Sequence, residues 1–435
     1  MRMLPTPVEL LQALIRFDTT NPPGQEEACI TYLAEQVRAV GIEPLLIGRC
    51  PQRPNLIARF PGRGNRPPIL FEGHVDVVST AGQAWTHPPF AGEVAGGMLW
   101  GRGALDDKGA VAAMTAALLN LRAAGEELPG DVLLVVVTDE EVGGGCGARF
   151  LVEEHPALFA GVRYGLGEGG GFSVRLGGRK CYPIMVAEKQ HCVIRVTFHG
   201  PAGHGAVPLR GGAMAKLARA LLRLEQRRLP VHITPVAQRM FSGLAEALGF
   251  PQGTVLRALL LPPLTDWLLD RLGPLARQMD PVLHNTVSPT QVQGSEAINV
   301  IPAEVTLGLD GRLLPGLTPD VLLQEVRTLL GLEATVELQK YEPGPETVDW
   351  EGYESLARLM RQADPAGTPF PYLLSGVTDA RYFARLGIIM YGLVPFDLPA
   401  GLLDTIHGAD ERVPLAALEK TTQIYEGIAR EFMLK

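Results

Sequence analysis

The chain has 435 residues, 46% of them hydrophobic and 20% charged, which is enough apolar material for two folded domains and too much for a disordered polypeptide. Its formal charge of -8, with acids and bases interspersed, argues against nucleic acid or an anionic membrane surface as the main partner. No stretch reaches the roughly 20 unbroken apolar residues of a membrane span, and residues 1–14 read as an amphipathic helix, not as a secretory leader.

Taken in chain order, the periodicity predicts helices over 7–17 and 26–40, the second stopped by Gly41. Strands follow at 55–60 and 69–73, the latter running into His74 and Asp76. A helix of small and apolar residues is predicted over 108–123. The continuous apolar run 131–138 reads as a strand buried on both faces. A helix at 149–154 and a strand at 162–166 complete an α/β alternation with a largely parallel sheet. From about residue 190 the texture changes to alternating strands (191–198, 286–293, 304–309, 334–340), with helices at 211–227 and 320–330 and a leucine-rich helical stretch over 244–278. That pattern predicts an α+β domain whose sheet is half exposed. A helix at 351–362, a strand at 386–391 and a helix at 416–432 then return to the first texture. The expected organisation is one α/β domain built from 1–190 and 342–435, with 191–341 inserted into it.

The five cysteines (Cys29, Cys50, Cys146, Cys181 and Cys192) are odd in number and form no C-x-x-C pair, so neither a disulfide framework nor a zinc ribbon is expected. A reducing cytoplasm is the simplest setting for them. The run from Gly165 to Gly170 fits G-x-G-x-x-G after a strand, but the Gly-rich, basic segment beyond it is no helix, which excludes a dinucleotide site.

Carboxylates and imidazoles gather at five predicted strand ends or loops: His74 with Asp76, Asp106 with Asp107, Glu140 with Glu141, Glu168, and His407. Each has an ordinary explanation alone, as a helix cap, a solvated loop or a surface histidine. Together they form a His/Asp/Glu set without cysteine, which suits divalent ions of borderline hardness, zinc first. Two histidines and three carboxylates hold two ions if one carboxylate bridges, and two such ions can share a hydroxide and polarise an amide carbonyl. Adjacent glutamates allow one to ligate while its neighbour serves as a base. In a His-x-Asp pair, the Asp can orient the imidazole.

Four motifs in order, Gly-His-Val-Asp-Val at 73–77, Gly-Arg-Gly-Ala-Leu-Asp-Asp-Lys-Gly at 101–109, Thr-Asp-Glu-Glu-Val-Gly-Gly at 138–144 and His-Gly-Ala-Asp-Glu-Arg-Val at 407–413, resemble the dinuclear zinc exopeptidases. These include glutamate carboxypeptidase, acetylornithine deacetylase, succinyl-diaminopimelate desuccinylase, aminoacylases and carboxypeptidase S. The resemblance implies a catalytic domain with a mostly parallel central sheet and an inserted α+β lid. It assigns His74, Asp106 and Glu168 to one zinc and Asp106, Glu141 and His407 to the other, with cobalt or manganese able to take the same ligands. It makes Glu140 the general base, lets Asp76 orient His74 and expects a cis peptide at Asp106–Asp107. The Gly-Pro-Ala-Gly-His run at 200–204 resembles a lid motif whose histidine, here His204, stabilises an oxyanion, often in the partner subunit. Asn299 and Arg312 match segments that grip a substrate carboxylate, and Gly376 falls in a substrate-side loop at 375–381.

The implied enzyme hydrolyses an amide bond beside a free carboxylate, in an N-acyl amino acid or short peptide, and dimerises through its lid. An aminopeptidase or dipeptidase of the same fold is the near rival, and a silent metal-dependent binding protein a rival from another class. The sequence departs from the usual pattern at Gly169–Gly171, where many members carry Pro-Thr or Pro-Ser, at Ser79 in place of a common Pro, and at Val377 in place of Gly. The long segment between His204 and Asn299 fits the carboxypeptidase S and acyl-amino-acid hydrolase side. Its leucines read as lid core.

Overall fold

The structure is a computed structural model that describes residues 4–331, 334–345 and 348–432. Residues 1–3 of the expected N-terminal helix lie outside that range; the helix runs Pro7–Arg16. It opens on a capping box in which Thr6 and Glu9 satisfy each other's backbone N–H groups.

The chain divides into two compact units. One holds residues up to Val186, Val348–Tyr372 and everything from Thr378; the other holds Ala187–Thr347 and Leu373–Val377. The return of 373–377 to the second unit, with Gly376 in it, is a feature the linear reading did not contain.

In the first unit the central strands Val132–Val137, Ile69–His74, Tyr164–Gly167 and Ile389–Gly392 are parallel neighbours, and antiparallel pairings extend the sheet on both sides. The helix Lys108–Ala123 packs on Ile69–His74 and against the helices Pro7–Arg16 and Leu415–Glu431. It is buried from Lys108 through Leu119, because alanines at 110, 112, 113, 116 and 117 let neighbouring elements approach on every side. Lys108 survives there by donating its Nζ to the carbonyls of Leu14 (3.0 Å) and Phe17 (2.8 Å), at the open end of the first helix.

Several strands were not legible in the sequence, three of them in the central sheet on one side of the parallel core. The Gly-rich segment after Glu168 forms a β-hairpin, Val174–Leu176 with Arg179–Glu188, and the proline-bearing run Gly367–Leu374 is a strand of the same sheet. No helix follows the G-x-G-x-x-G run.

The cysteine expectation needs correction: Cys50 and Cys146, separated by 96 positions, form a disulfide. Only Cys29, Cys181 and Cys192 are free, all buried. The pairing arises from folding at long range. Asn55 donates its Nδ2 to the carbonyls of Ile47 (3.1 Å) and Cys146 (2.9 Å), drawing the loop after Glu140–Val142 onto the sheet's edge. Closing so long a loop restricts the unfolded chain and stabilises the fold.

The second unit is an antiparallel sheet in the order Thr286–Gln293, Glu304–Leu313, Gln190–His199, Ala334–Glu342. One face packs Ile194, Val196, Leu307 and Leu309 on the helices Ala213–Gln226 and Pro319–Leu330. The opposite face carries His191, Asp310 and Arg312 in register. The leucine-rich stretch is four helices, Pro235–Leu248, Gln252–Ala258, Pro262–Leu269 and Ala276–Leu283, interrupted where Pro251, Pro262 and Pro274 cannot continue a helix. Phe241, Leu244, Leu256 and Leu269 form buried core, whereas Phe250 and Trp267 are exposed. Among the described residues no helix is long and apolar enough to cross a membrane.

Candidate metal centre

In the first unit the five expected ligands converge. His74 ends the strand Ile69–His74, Glu168 follows Tyr164–Gly167, and Glu140 and Glu141 open a short turn beyond Val132–Val137. All lie past the carboxyl ends of parallel strands, where an open α/β sheet leaves a crevice. The Asp106–Asp107 peptide is cis, the conformation the resemblance implies. His407 sits in a loop at φ 60°, a backbone region sparsely used outside glycine.

Asp106 is the hub. Its Oδ1 lies 3.1 Å from His74 Nε2 and its Oδ2 3.0 Å from His407 Nε2. Glu168 Oε2 is 3.9 Å from the first imidazole, and Glu141 Oε2 is 3.4 Å from the second. Two three-residue sets result, His74–Asp106–Glu168 and Asp106–Glu141–His407, each with donor atoms within 4.8 Å of one another. They share only Asp106. The other histidines, several of them paired with single carboxylates as in His87–Glu93 and His232–Glu325, belong to no such set among the described residues.

The chemistry of these groups fits cations. His74 Nδ1 faces the backbone carbonyl of Asp76 at 3.0 Å, and a carbonyl can only accept, so Nδ1 carries the proton. The Nε2 lone pair is thereby turned toward two carboxylates. Glu141 Oε1 is buried without a partner, the condition of an acceptor awaiting a ligand. Burial, and then the charge of Asp379, pushes the Glu140 carboxyl well up; burial, and then the charge of Glu140, does the same to Glu168. Hydrogen bonds to Asp106 and Glu141 push His407 up to about 10. Crowded negative charge of this kind is what divalent cations offset.

Asp76 does more than the sequence suggests. Its carboxylate stands 3.5 Å from His74 Nδ1. It accepts the backbone N–H of Glu140 (3.1 Å) and Glu141 (3.2 Å) and the amide of Asn21 (2.8 Å). One buried carboxylate therefore fixes the turn that carries both glutamates. Sequence reasoning missed Asn21 because nothing near it in the chain signals the site.

The remaining expected residues lie in the second unit. His204 pairs with Val300 in a two-residue ribbon, beside Asn299, whose carbonyl accepts from Gly205 N at 2.8 Å. His204 Nδ1 accepts from Ala206 N (3.1 Å), which leaves Nε2 protonated as a donor. The Arg312 fork is engaged within the unit, Nε to Asp310 Oδ1 at 2.7 Å and Nη2 to Oδ2 at 3.0 Å, while Nη1 is buried without a partner. The expected grip on a substrate is therefore narrowed to one nitrogen.

Lys189 is fully buried in this unit, donating Nζ to His284 O (2.8 Å) and Thr286 Oγ1 (3.1 Å). Burial, followed by the charge of Arg312, lowers it from 10.5 to about 7. Between these values the unfolded chain binds more protons, so stability rises with pH. Urea unfolding of Lys189→Met is expected to show a flatter rise between pH 7 and 10 than the parent chain; an identical slope would contradict this.

Comparison with known proteins now places the chain. The sequence profile of peptidase family M20/M25/M40 matches residues 70–431. The chain belongs to this family. Within the M20/M25/M40 peptidases it is 30% identical to the succinyl-diaminopimelate desuccinylase of Alkalilimnicola ehrlichii, over 98% of this chain and 99% of that protein. It is 28% identical to the N-fatty-acyl-amino acid synthase/hydrolase PM20D1 of Xenopus tropicalis, over 83% and 72%. The fold matches the crystal structure of the M20 family metallo-carboxypeptidase Sso-CP2 from Sulfolobus solfataricus with a TM-score of 0.70, at 15% identity, over 98% of this chain and 99% of that one. The protein is a metal-dependent hydrolase of C–N bonds.

Proposed function

We propose that the chain hydrolyses the amide bond of an N-acyl amino acid or short peptide that carries a free carboxylate beside that bond. The observation that carries this reading is the pair of donor sets sharing Asp106, with Glu140 on the turn that supplies Glu141. His74, Asp106 and Glu168 would hold one cation and Asp106, Glu141 and His407 the other; zinc suits this donor set best, with cobalt or manganese as substitutes. When bound, the two cations polarise the amide carbonyl and make water more acidic.

The chain's own groups do the rest. Glu140 is outside both ligand sets, on the turn that supplies Glu141, which suits a base that takes a proton from water and delivers it to the leaving amine. Asp76 holds the Glu140 turn and the His74 ring. His204 offers its Nε2 proton to the developing oxyanion. Arg312, through Nη1, and Asn299 receive the substrate carboxylate, and Gly376 belongs to the loop that the family resemblance puts on the substrate's side.

The acyl-amino-acid class is supported by the names of the two relatives, both of which describe an acyl group on an amino acid. A homodimer through the second unit is supported by its exposed Val207, Ile298 and Val300. A cytoplasmic setting is supported by the three free thiols, and the Cys50–Cys146 bond is the feature that weighs against it.

Kinetics on N-acyl amino acids, dipeptides and uncarboxylated amides test the substrate class. Arg312→Ala is expected to raise KM for carboxylated substrates roughly 10- to 100-fold, the value of a hydrogen bond to a charged group. Equal losses on uncarboxylated amides would refute the grip and favour an aminopeptidase-like preference.

A further inference from the structure

One buried ion pair in the first unit touches neither the donor atoms nor any reacting group, yet it is wired to both ends of the second donor set. Glu411 is completely buried. Its Oε1 accepts the backbone N–H of Leu105 (2.7 Å) and Asp106 (3.1 Å). Its Oε2 accepts Gly103 N–H (3.1 Å) and Arg102 Nη1 (2.6 Å). A single carboxylate thus gathers three N–H groups of the turn that presents the shared ligand, an arrangement that fixes a loop through charge-assisted bonds.

The second half of the device reaches His407. Arg102, 1% exposed, donates Nη2 to Gly408 O (2.9 Å) and to Gln83 Oε1 (2.9 Å). Gln83 in turn donates Nε2 to His407 O at 2.8 Å. His407 occupies a left-handed backbone conformation, so its loop needs outside support to hold that shape. Glu411 also neutralises Arg102, whose unanswered charge would otherwise repel cations at the adjacent site.

We propose that Glu411, acting through Arg102 and Gln83, is a positioning residue that sets the placement of Asp106 relative to His407 and thereby the affinity of the His407-side cation. The His74 side also uses Asp106, but its other two ligands stand at strand ends and its imidazole is held by Asp76, so it is expected to depend on this network less. The inference rests on the two-cation reading above.

The test uses the full chain, stripped by a chelator and titrated with zinc alone, with cobalt(II) absorption as a second readout. His407→Ala identifies which binding phase belongs to the His407 side. Glu411→Gln is expected to weaken that phase 10- to 100-fold, the range for groups that orient ligands, and to alter its cobalt spectrum while the other phase, which shares Asp106, weakens less. Gln83→Leu, at the more accessible end, is expected to weaken the same phase less. The double variant R102M/E411M replaces the pair with apolar side chains, an exchange that often preserves stability; it is expected to melt like the parent chain yet keep the cation defect. Equal weakening of both phases, or parent-like binding in the double variant, would overturn the positioning role. A parent chain that binds fewer than two cations would overturn both this inference and the reading on which it rests.

Discussion

Glu140→Gln is expected to lower kcat by about 10²- to 10⁴-fold with both cations still bound, the usual cost of losing a positioned general base. Gln has nearly the shape of Glu and leaves the backbone N–H to Asp76 in place, so the turn should not move. Glu140 belongs to neither donor set, so metal content should not fall. What is lost is an atom that can accept a proton. Steady-state kinetics with metal analysis of the same preparation checks both halves: activity within a few-fold of the parent would remove Glu140 from the mechanism, and loss of metal would make it a ligand.

Asp106→Ala should have the larger structural consequence, because the aspartate is the one residue common to both sets. Its two oxygens are the nearest carboxylate atoms to His74 Nε2 and His407 Nε2. Removing them leaves each cation two ligands and separates the sites. Turnover is expected to vanish and bound metal to drop from two to below one per chain. Ligands that bind only the folded state stabilise it, by about 2.7 kcal/mol at a hundredfold excess over Kd. A chelator should therefore lower the Tm of the parent chain and leave that of Asp106→Ala almost unchanged. Equal shifts in both would mean that the cations are held elsewhere.

The sequence revealed the centre because its ligands sit at strand ends inside compact motifs. The run 131–138 and the helix 108–123 announce a buried parallel sheet through their apolar continuity, and the structure places Glu140 and Asp106 at the ends of those elements. What remained hidden depends on contacts distant along the chain. The strands Arg179–Glu188 and Gly367–Leu374 contain Pro183, Pro369 and Pro371, which disguise them as loops. Glu411 stands in a recognised motif, but its partner Arg102 is 309 positions away, and a glutamate beside an arginine signals nothing until both are buried. Cys50 and Cys146 were misread for the same reason. Arg312 was legible as a cation, but its engagement by Asp310 follows from the extended strand that carries both on one face.

The most direct measurement is anomalous X-ray diffraction from crystals of the metal-loaded protein at the zinc edge. It should give two peaks, one beside each Asp106 oxygen, with a Glu140 carboxylate oxygen within reach of a water lying between them. A lone peak, or a pair that does not touch Asp106, would contradict the shared-aspartate centre.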